Sequence, residues 1–484
     1  MFKRTKIVAT VGPASETKDQ LLALARAGVN VFRLNFSHGT HEDHLMRLTR
    51  IREINEENNL NLCILQDLQG PKIRIGAVED PKNGVPILPG NRLVFTNEEI
   101  VGTSERVSTP YKGMYRDVKA GERILLDDGK LEVKVVGVEG TDVVTEVVYG
   151  GPLKSKKGVN LPNTRVSMPS VTEKDWADLD FGLEHDVEWI ALSFVREAQE
   201  ILEIKEYIRS KGKLARVVAK IEKPEAITNI DAIIEATDAI MVARGDLGVE
   251  LPAAEVPMIQ KMLVEKCNRA AKPVIVATQM LESMIDAPRP TRAEINDVAN
   301  SVMDGADAVM LSAETASGSY PILAVENMTA TIQQVEATTD KIYYKYHTQV
   351  NEHPGENVLN DNVVMSACRL ARDTKAKAII GITTSGYTAV RLSHHRPKAS
   401  LFVFSPDARL RNVLGLYWGV QVIPYNPETD QSGTPPTADQ TVEDIRKTLV
   451  DRGELNTGDI FINTLSMPLS KQRKTNTVKL SVVE

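Results

Sequence analysis

Eight short, β-branched apolar runs, each followed by a longer stretch of helical periodicity, constrain this chain more tightly than any other feature of its sequence. They extend from Lys6 to Gly12, Val29 to Ser37, Asn61 to Leu68, Trp189 to Phe194, Arg216 to Glu222, Ala239 to Asp246, Pro273 to Met280 and Ala308 to Thr315. Alternation of such runs with helical periods reads as successive βα units. The runs are nearly continuous in apolar residues, which predicts burial on both faces, as in a parallel sheet wrapped by helices. Eight of them predict a (β/α)8 TIM barrel.

The long interval between Leu68 and Trp189 breaks this rhythm. Strand-like pieces at Leu131 to Val138 and Asp142 to Val148, with turns at Asp127-Asp128-Gly129 and Gly150-Gly151-Pro152, predict a β-rich module inserted over 70–169. It leaves the C-terminal end of the third barrel strand, where barrels of this kind place their active sites, so it is placed to act as a lid. After about Lys345 the chain crosses the polar stretch Asn351 to Asn362. It then resumes a strand–helix alternation at Ala378 to Thr383, Ser400 to Ser405, Gly419 to Pro424, the helical segment Ala438 to Arg452, and Asp459 to Thr464. The division is a barrel of 1–69 and 170–344, a lid of 70–169 and an open α/β domain of 345–484.

At 484 residues the chain suits about three domains. A formal net charge of −7 argues against a surface for nucleic acid or anionic membrane, although a local basic pocket can sit within that total. Cys63, Cys267 and Cys368 are far apart and form no C-x-x-C pattern, so neither a disulfide framework nor a structural zinc site is expected and a reducing cytoplasm fits. No signal-peptide core and no apolar run near the ~18 residues of a membrane span is present.

Chemistry should lie at the barrel strand ends, which finish in Arg33-Leu34-Asn35-Phe36-Ser37-His38-Gly39, Asp67, Ser193, Lys220-Ile221-Glu222, Arg244-Gly245-Asp246, Thr278 and Ser312-Ala313-Glu314. Buried charges converging on one rim are costly unless paired or metal-bound, so they imply a polar site. Glu222 and Asp246 end adjacent strands, about one strand spacing (~5 Å) apart, which suits a hard divalent cation such as Mg²⁺ or Mn²⁺. A lone acid at such a place more often pairs with a neighbouring Lys or Arg. Here Lys220 precedes Glu222 by two residues and shares its strand face; an ammonium beside a metal suits a phosphoryl group in flight. Arg33 and Arg74 add forks for phosphate oxygens.

These segments, with Thr5-Lys6-Ile7-Val8, Val11-Gly12-Pro13-Ala14-Ser15, Gly70-Pro71, Met241-Val242-Ala243-Arg244-Gly245-Asp246-Leu247-Gly248, Ala277 to Met284 and Arg289 to Glu294, strongly resemble the pyruvate kinase family across nearly the whole chain. The resemblance implies the same three-part architecture and transfer of a phosphoryl group from phosphoenolpyruvate to ADP, giving pyruvate and ATP. It implies a divalent metal on Glu222 and Asp246, Lys220 at the transferring group, and Arg33, Lys220, Gly245, Asp246 and Thr278 around phosphoenolpyruvate. Thr278 and Ser312 would organise protonation of the enolate. Asn35, His38, Arg74 and Lys157 would face the nucleotide, Lys157 arriving on the lid. A homotetramer is also implied.

Many members of that family place potassium near the residues matching Asn35, Ser37, Asp67 and a threonine, with a glutamate nearby. Here the threonine is Leu68 and the glutamate is Lys72. Leu68 has no side-chain oxygen, and an ammonium at 72 supplies the monovalent charge, so activity without K⁺ is expected. Thr383-Thr384-Ser385-Gly386 forms a candidate phosphate loop for a phosphorylated effector, whereas Leu465 to Lys474 lacks the glycine-rich character of members activated by fructose 1,6-bisphosphate. Two other readings are a metal-dependent lyase acting on pyruvate enolates and a silent homologue. The lid with Arg74 and Lys157 argues against the first, and the intact Lys220, Glu222, Asp246 and Thr278 against the second.

Overall fold

The computed structural model of the chain describes residues 2–162, 164–345, 357–426, 436–467 and 474–484. The eight apolar runs become strands β1 (Lys6–Thr10), β2 (Val31–Asn35), β3 (Cys63–Asp67), β4 (Trp189–Leu192), β5 (Arg216–Ile221), β6 (Ala239–Ala243), β7 (Val274–Ala277) and β8 (Ala308–Leu311). They form one closed barrel in chain order, and β8 returns to β1 in parallel with Lys6 opposite Ala308.

Strand alternation explains where the polar residues go. Ile7, Ala9, Phe32, Leu34, Ile64, Ile190, Val217, Ala219, Ile240 and Val276 pack outward against the helices. Their chain neighbours Val8, Val31, Cys63, Leu65, Ala191, Val218, Met241, Ile275 and Met310 fill the lumen. Counting on by two from the lumen rows reaches Thr10, Arg33, Asn35, Asp67, Ser193, Lys220, Glu222 and Ser312. The polar rim is therefore the top of the barrel interior.

Two expected strand ends fall earlier than the apolar run suggests. Ala243 closes β6, and Gly245 and Asp246 lie in the first turn of helix Arg244–Glu250, where a carboxylate faces the free N–H groups of a helix start. Likewise β8 stops at Leu311 and Ser312 caps the short helix Ala313–Ala316.

The inserted module holds a six-stranded sheet whose longest strands are Leu131–Glu139 and Asp142–Tyr149. It leaves the barrel at Gly70, which has φ of +68° and whose N–H donates to Asp175 Oδ1 at 3.0 Å. A β-carbon there would come within 2.8 Å of Ser193 Cβ, so glycine is required by both conformation and space. It returns past Arg196, whose guanidinium donates to the carbonyls of Val166 and Met168 at 2.7 and 3.1 Å.

The C-terminal domain is a five-stranded sheet in which Ala378–Ile382, Ser400–Ser405, Val420–Pro424 and Ile460–Leu465 are parallel. An antiparallel edge strand, Thr477–Val482, completes it. The domain plugs the barrel floor: Val413, Leu414 and Tyr417 share one apolar cluster with the lumen residues. Arg396, 3% exposed, bonds both oxygens of Asp307 at 2.9 Å from below. Breaking a buried pair of this kind typically costs about 3–5 kcal/mol. Most of the polar stretch Asn351 to Asn362 lies outside the described residues. No helix among the described residues is long and apolar enough to cross a membrane.

Candidate active site

Lys220 sits at the centre of the barrel mouth. Its Nζ donates to Ser193 Oγ at 2.7 Å and lies 3.2 Å from Asp67 Oδ1 and 3.0 Å from Glu222 Oε1. Asp67 and Glu222 are each 1% exposed. Burial alone would drive the ammonium toward its neutral form, but the Asp67 and Glu222 carboxylates outweigh it and hold Lys220 above its ordinary pKa. Burial is also the largest influence on Asp67 and would raise it, yet Lys220 and Arg33 together keep it below the usual carboxylate value. Arg33 Nε reaches Asp67 Oδ2 at 2.6 Å, and Arg33 Nη1 donates to Thr10 Oγ1 at 2.9 Å.

Glu222 behaves oppositely. Burial raises its pKa, Lys220 opposes this, and the nearby Asp246 carboxylate pushes it up further. Its second oxygen accepts from the backbone N–H of Phe194 at 2.7 Å, which is aimed there because Phe194 adopts φ of +55°, a costly conformation for an aromatic residue. Two carboxylates that repel each other at the edge of a cleft form a donor set suited to a hard cation. A divalent metal on Glu222 and Asp246 therefore fits the residues present.

Thr278 and Gln279 both have positive φ, +68° and +54°. The Thr278 hydroxyl accepts from the N–H of Gly245 at 2.8 Å and donates to Ala277 O at 2.6 Å. Arg244 donates to the Thr278 carbonyl at 2.6 Å and pairs with Asp297 at 2.7 Å. Strain of this kind persists only where surrounding contacts fix it. Among the described residues no hydrogen bond joins Thr278 to Ser312, whose backbone N–H donates to Glu314 Oε2 at 2.7 Å. A cleft of about 850 Å³ runs from Gly245 and Asp246 of the barrel to Lys72 and Asp128 of the inserted module.

Two family descriptions account for these parts: "Pyruvate kinase, barrel domain" matches residues 2–325 and "Pyruvate kinase, alpha/beta domain" matches residues 361–481. The chain belongs to the pyruvate kinase family. It is 42% identical over 487 aligned residues to the pyruvate kinase of Geobacillus stearothermophilus, covering all of this chain and 81% of that one. To the pyruvate kinase of Clostridium acetobutylicum it is 40% identical, with all of both chains covered. The crystal structure of a pyruvate kinase from Cryptosporidium parvum superposes with a TM-score of 0.91 at 33% identity, covering 100% of this chain and 96% of that one.

The residues expected to meet the nucleotide divide between the barrel and the inserted module. Arg74 bridges to Gly158 and donates to Lys156 O at 3.1 Å, and Lys157 pairs with Asp127 at 2.7 Å, both within the inserted module. His38 is held below the ordinary histidine range first by burial and then by the charges of Arg74, Arg33 and Lys72. Asn35 Oδ1 accepts from the Ser37 N–H at 3.2 Å.

Lys72, expected in the place of potassium near Asn35, Ser37 and Asp67, makes no ion pair with Asp67. Both Asp67 oxygens face Arg33 and Lys220, and the Lys72 ammonium instead lies 3.4 Å from Asp246 Oδ1. The buried ion pair takes precedence, because Asp67 is already neutralised by two cations. Leu68 is buried in the apolar layer between strands and helices.

The loop Thr383-Thr384-Ser385-Gly386 joins strand Ala378–Ile382 to helix Tyr387–His394. The Gly386 N–H donates to Thr383 Oγ1 at 2.8 Å. Tyr387 turns away, its hydroxyl donating to Asp361 at 2.6 Å. The segment Leu465 to Lys474 lies mostly outside the described residues.

Several neighbours of the site escaped sequence reading. Thr10, reachable by alternation from Val8, was not singled out, and the Phe194 N–H and the buried His44 carried no local pattern. His44 stacks on Phe36 with ring centroids 3.9 Å apart and donates from Nε2 to the His38 carbonyl at 3.0 Å. Burial, reinforced by Arg47, lowers its pKa from 6.5 to about 4. The folded state thus keeps it neutral where the unfolded chain protonates it. Its stabilising share is present above pH 6.5 and is lost as pH falls toward 4. We expect wild type to lose on the order of 1–3 kcal/mol more than His44→Phe across that interval in chemical denaturation.

Proposed function

We infer that the groups ringing the barrel mouth transfer the phosphoryl group of phosphoenolpyruvate to ADP, giving pyruvate and ATP. The observation that carries this reading is the Lys220 ammonium fixed by Ser193, Asp67 and Glu222 at 2.7, 3.2 and 3.0 Å, beside the second carboxylate of Asp246. In the reaction the bond from phosphorus to the enol oxygen breaks and one to a terminal ADP oxygen forms. Negative charge spreads over the moving group, and a cation already held in place stabilises it without reorganisation. A divalent metal on Glu222 and Asp246, when bound, supplies Lewis-acid neutralisation of phosphate oxygens.

Arg33 holds the substrate phosphate. The Gly245 and Asp246 helix start and Thr278 hold its carboxylate end, where free N–H groups favour an anion. The enolate left behind takes a proton at carbon, and Thr278 and Ser312 organise the hydroxyl or water path that brings it. Asn35, His38, Arg74 and Lys157 face the nucleotide. Residues 70–169 act as the lid over the barrel of 1–69 and 170–344.

Lys72 adds a fixed positive charge at Asp246, so turnover does not require potassium. A phosphorylated metabolite at Thr383, Thr384, Ser385 and Gly386 is the proposed effector, within a homotetramer. The three cysteines are buried and unpaired, which suits a reducing cytoplasm. An omission series tests the reading: pyruvate should form only when phosphoenolpyruvate, ADP and Mg²⁺ are all present. Pyruvate release without ADP would instead favour a lyase or phosphatase.

A further inference from the structure

The lid's strand Val159–Asn160 pairs with Arg123–Leu126, and this register turns the Asn160 side chain toward the barrel. Asn160 Nδ2 donates to Glu250 Oε1 at 2.9 Å. Glu250 ends helix Arg244–Glu250, whose first turn carries Gly245 and Asp246. The same oxygen takes a second bond, from Lys223 Nζ at 2.8 Å, and Lys223 directly follows Glu222. One carboxylate oxygen therefore ties the lid to the two barrel elements that bear Glu222 and Asp246.

The Glu250 side chain is 0% exposed, and its other oxygen, Oε2, is buried without a hydrogen-bond partner. A buried charge with half its acceptors unused is costly, because water would satisfy all of them. Swinging the lid away removes Asn160 and admits water to Glu250. Closure thus gains one charge-assisted bond, from Asn160, beside the Lys223 pair that the barrel makes on its own, and loses hydration at the other oxygen. These two contributions oppose each other, as in an element that populates two positions.

We propose that Asn160, Glu250 and Lys223 form the latch that sets the balance between open and closed lid, acting as positioning residues. The idea rests on the reading of 70–169 as a lid whose Lys157 meets the nucleotide, and the test separates the two. Spin labels at Val136→Cys in the lid and Leu214→Cys on the barrel, exposed by 58% and 74%, report lid position; the native cysteines are buried. Asn160→Ala should raise the open-to-closed ratio about tenfold, as expected for loss of a hydrogen bond to a charged group.

Asn160→Asp, which sets two carboxylates face to face, should raise it further. The double variant N160D/E250Q restores a donor–acceptor pair and should return the ratio to within about threefold of the parent. Asn160→Ser, too short to reach Glu250, gives the same reading as Asn160→Ala should the latter weaken the lid's own sheet. The KM for ADP should follow the same order while that for phosphoenolpyruvate stays within about twofold. An unchanged distance distribution in N160D, or no recovery in the double variant, overturns the latch. Distances that move as expected with a flat KM for ADP uphold it and overturn the role given to Lys157.

Discussion

Replacing Lys220 with methionine should lower kcat by at least about 10³-fold, in line with the loss of a preorganised charge at the transferring group. The expectation follows from what surrounds the ammonium. Ser193, Asp67 and Glu222 fix it in one position, so charge stabilisation is present before the reaction begins. Methionine matches its length but leaves Asp67 to Arg33 alone and removes the cation at Glu222, with only Lys72 remaining at Asp246. Glu222, already raised by burial, should then take up a proton. The variant's stability deficit should therefore grow as pH rises above the ordinary carboxylate range, because an acid whose folded pKa is raised favours the fold only while protonated. Lys220→Arg keeps the charge but brings a planar fork to a pocket shaped for a point charge, and should recover little activity. A Lys220→Met enzyme within tenfold of wild type in a pyruvate-formation assay would remove Lys220 from the mechanism.

Lys72→Glu should slow potassium-free turnover by about thirtyfold, and added potassium should restore most of the loss. The substitution turns an attraction at 3.4 Å from Asp246 into a repulsion. At an effective dielectric of ~20 a charge pair at this range is worth about 4 kcal/mol, which we halve because both side chains are about one-quarter exposed, 26% and 28%. The remaining ~2 kcal/mol corresponds to that rate. Steady-state rates in sodium or tetramethylammonium buffers, with and without potassium, give the comparison. Wild type that stalls without potassium, or a variant as fast as wild type in its absence, would show that Lys72 does not replace the ion.

The barrel was legible because eight apolar runs need burial on both faces, and the polar ends of those runs led to Arg33 and Lys220, whereas Thr10 was not singled out. The edge strand Thr477–Val482 was missed although Val478, Leu480 and Val482 alternate with polar residues, since a single exposed alternation near a chain end competes with loop readings. Gly245 and Asp246 read as a strand end because sequence runs do not show where a ladder gives way to a helix start. The place of Lys72 was hidden for a different reason: it depends on which cations reach Asp67 first, and that is decided in three dimensions by Arg33 on β2 and Lys220 on β5. Asn160 and Glu250, distant in sequence, meet because the inserted module packs against the barrel there.

Phosphorus NMR of phosphoenolpyruvate with ADP and Mg²⁺ in potassium-free buffer tests the central claim most directly. The phosphoenolpyruvate resonance should decay as the γ-phosphate of ATP grows in equal amount. Appearance of inorganic phosphate in its place, or no decay until potassium is added, would contradict the account.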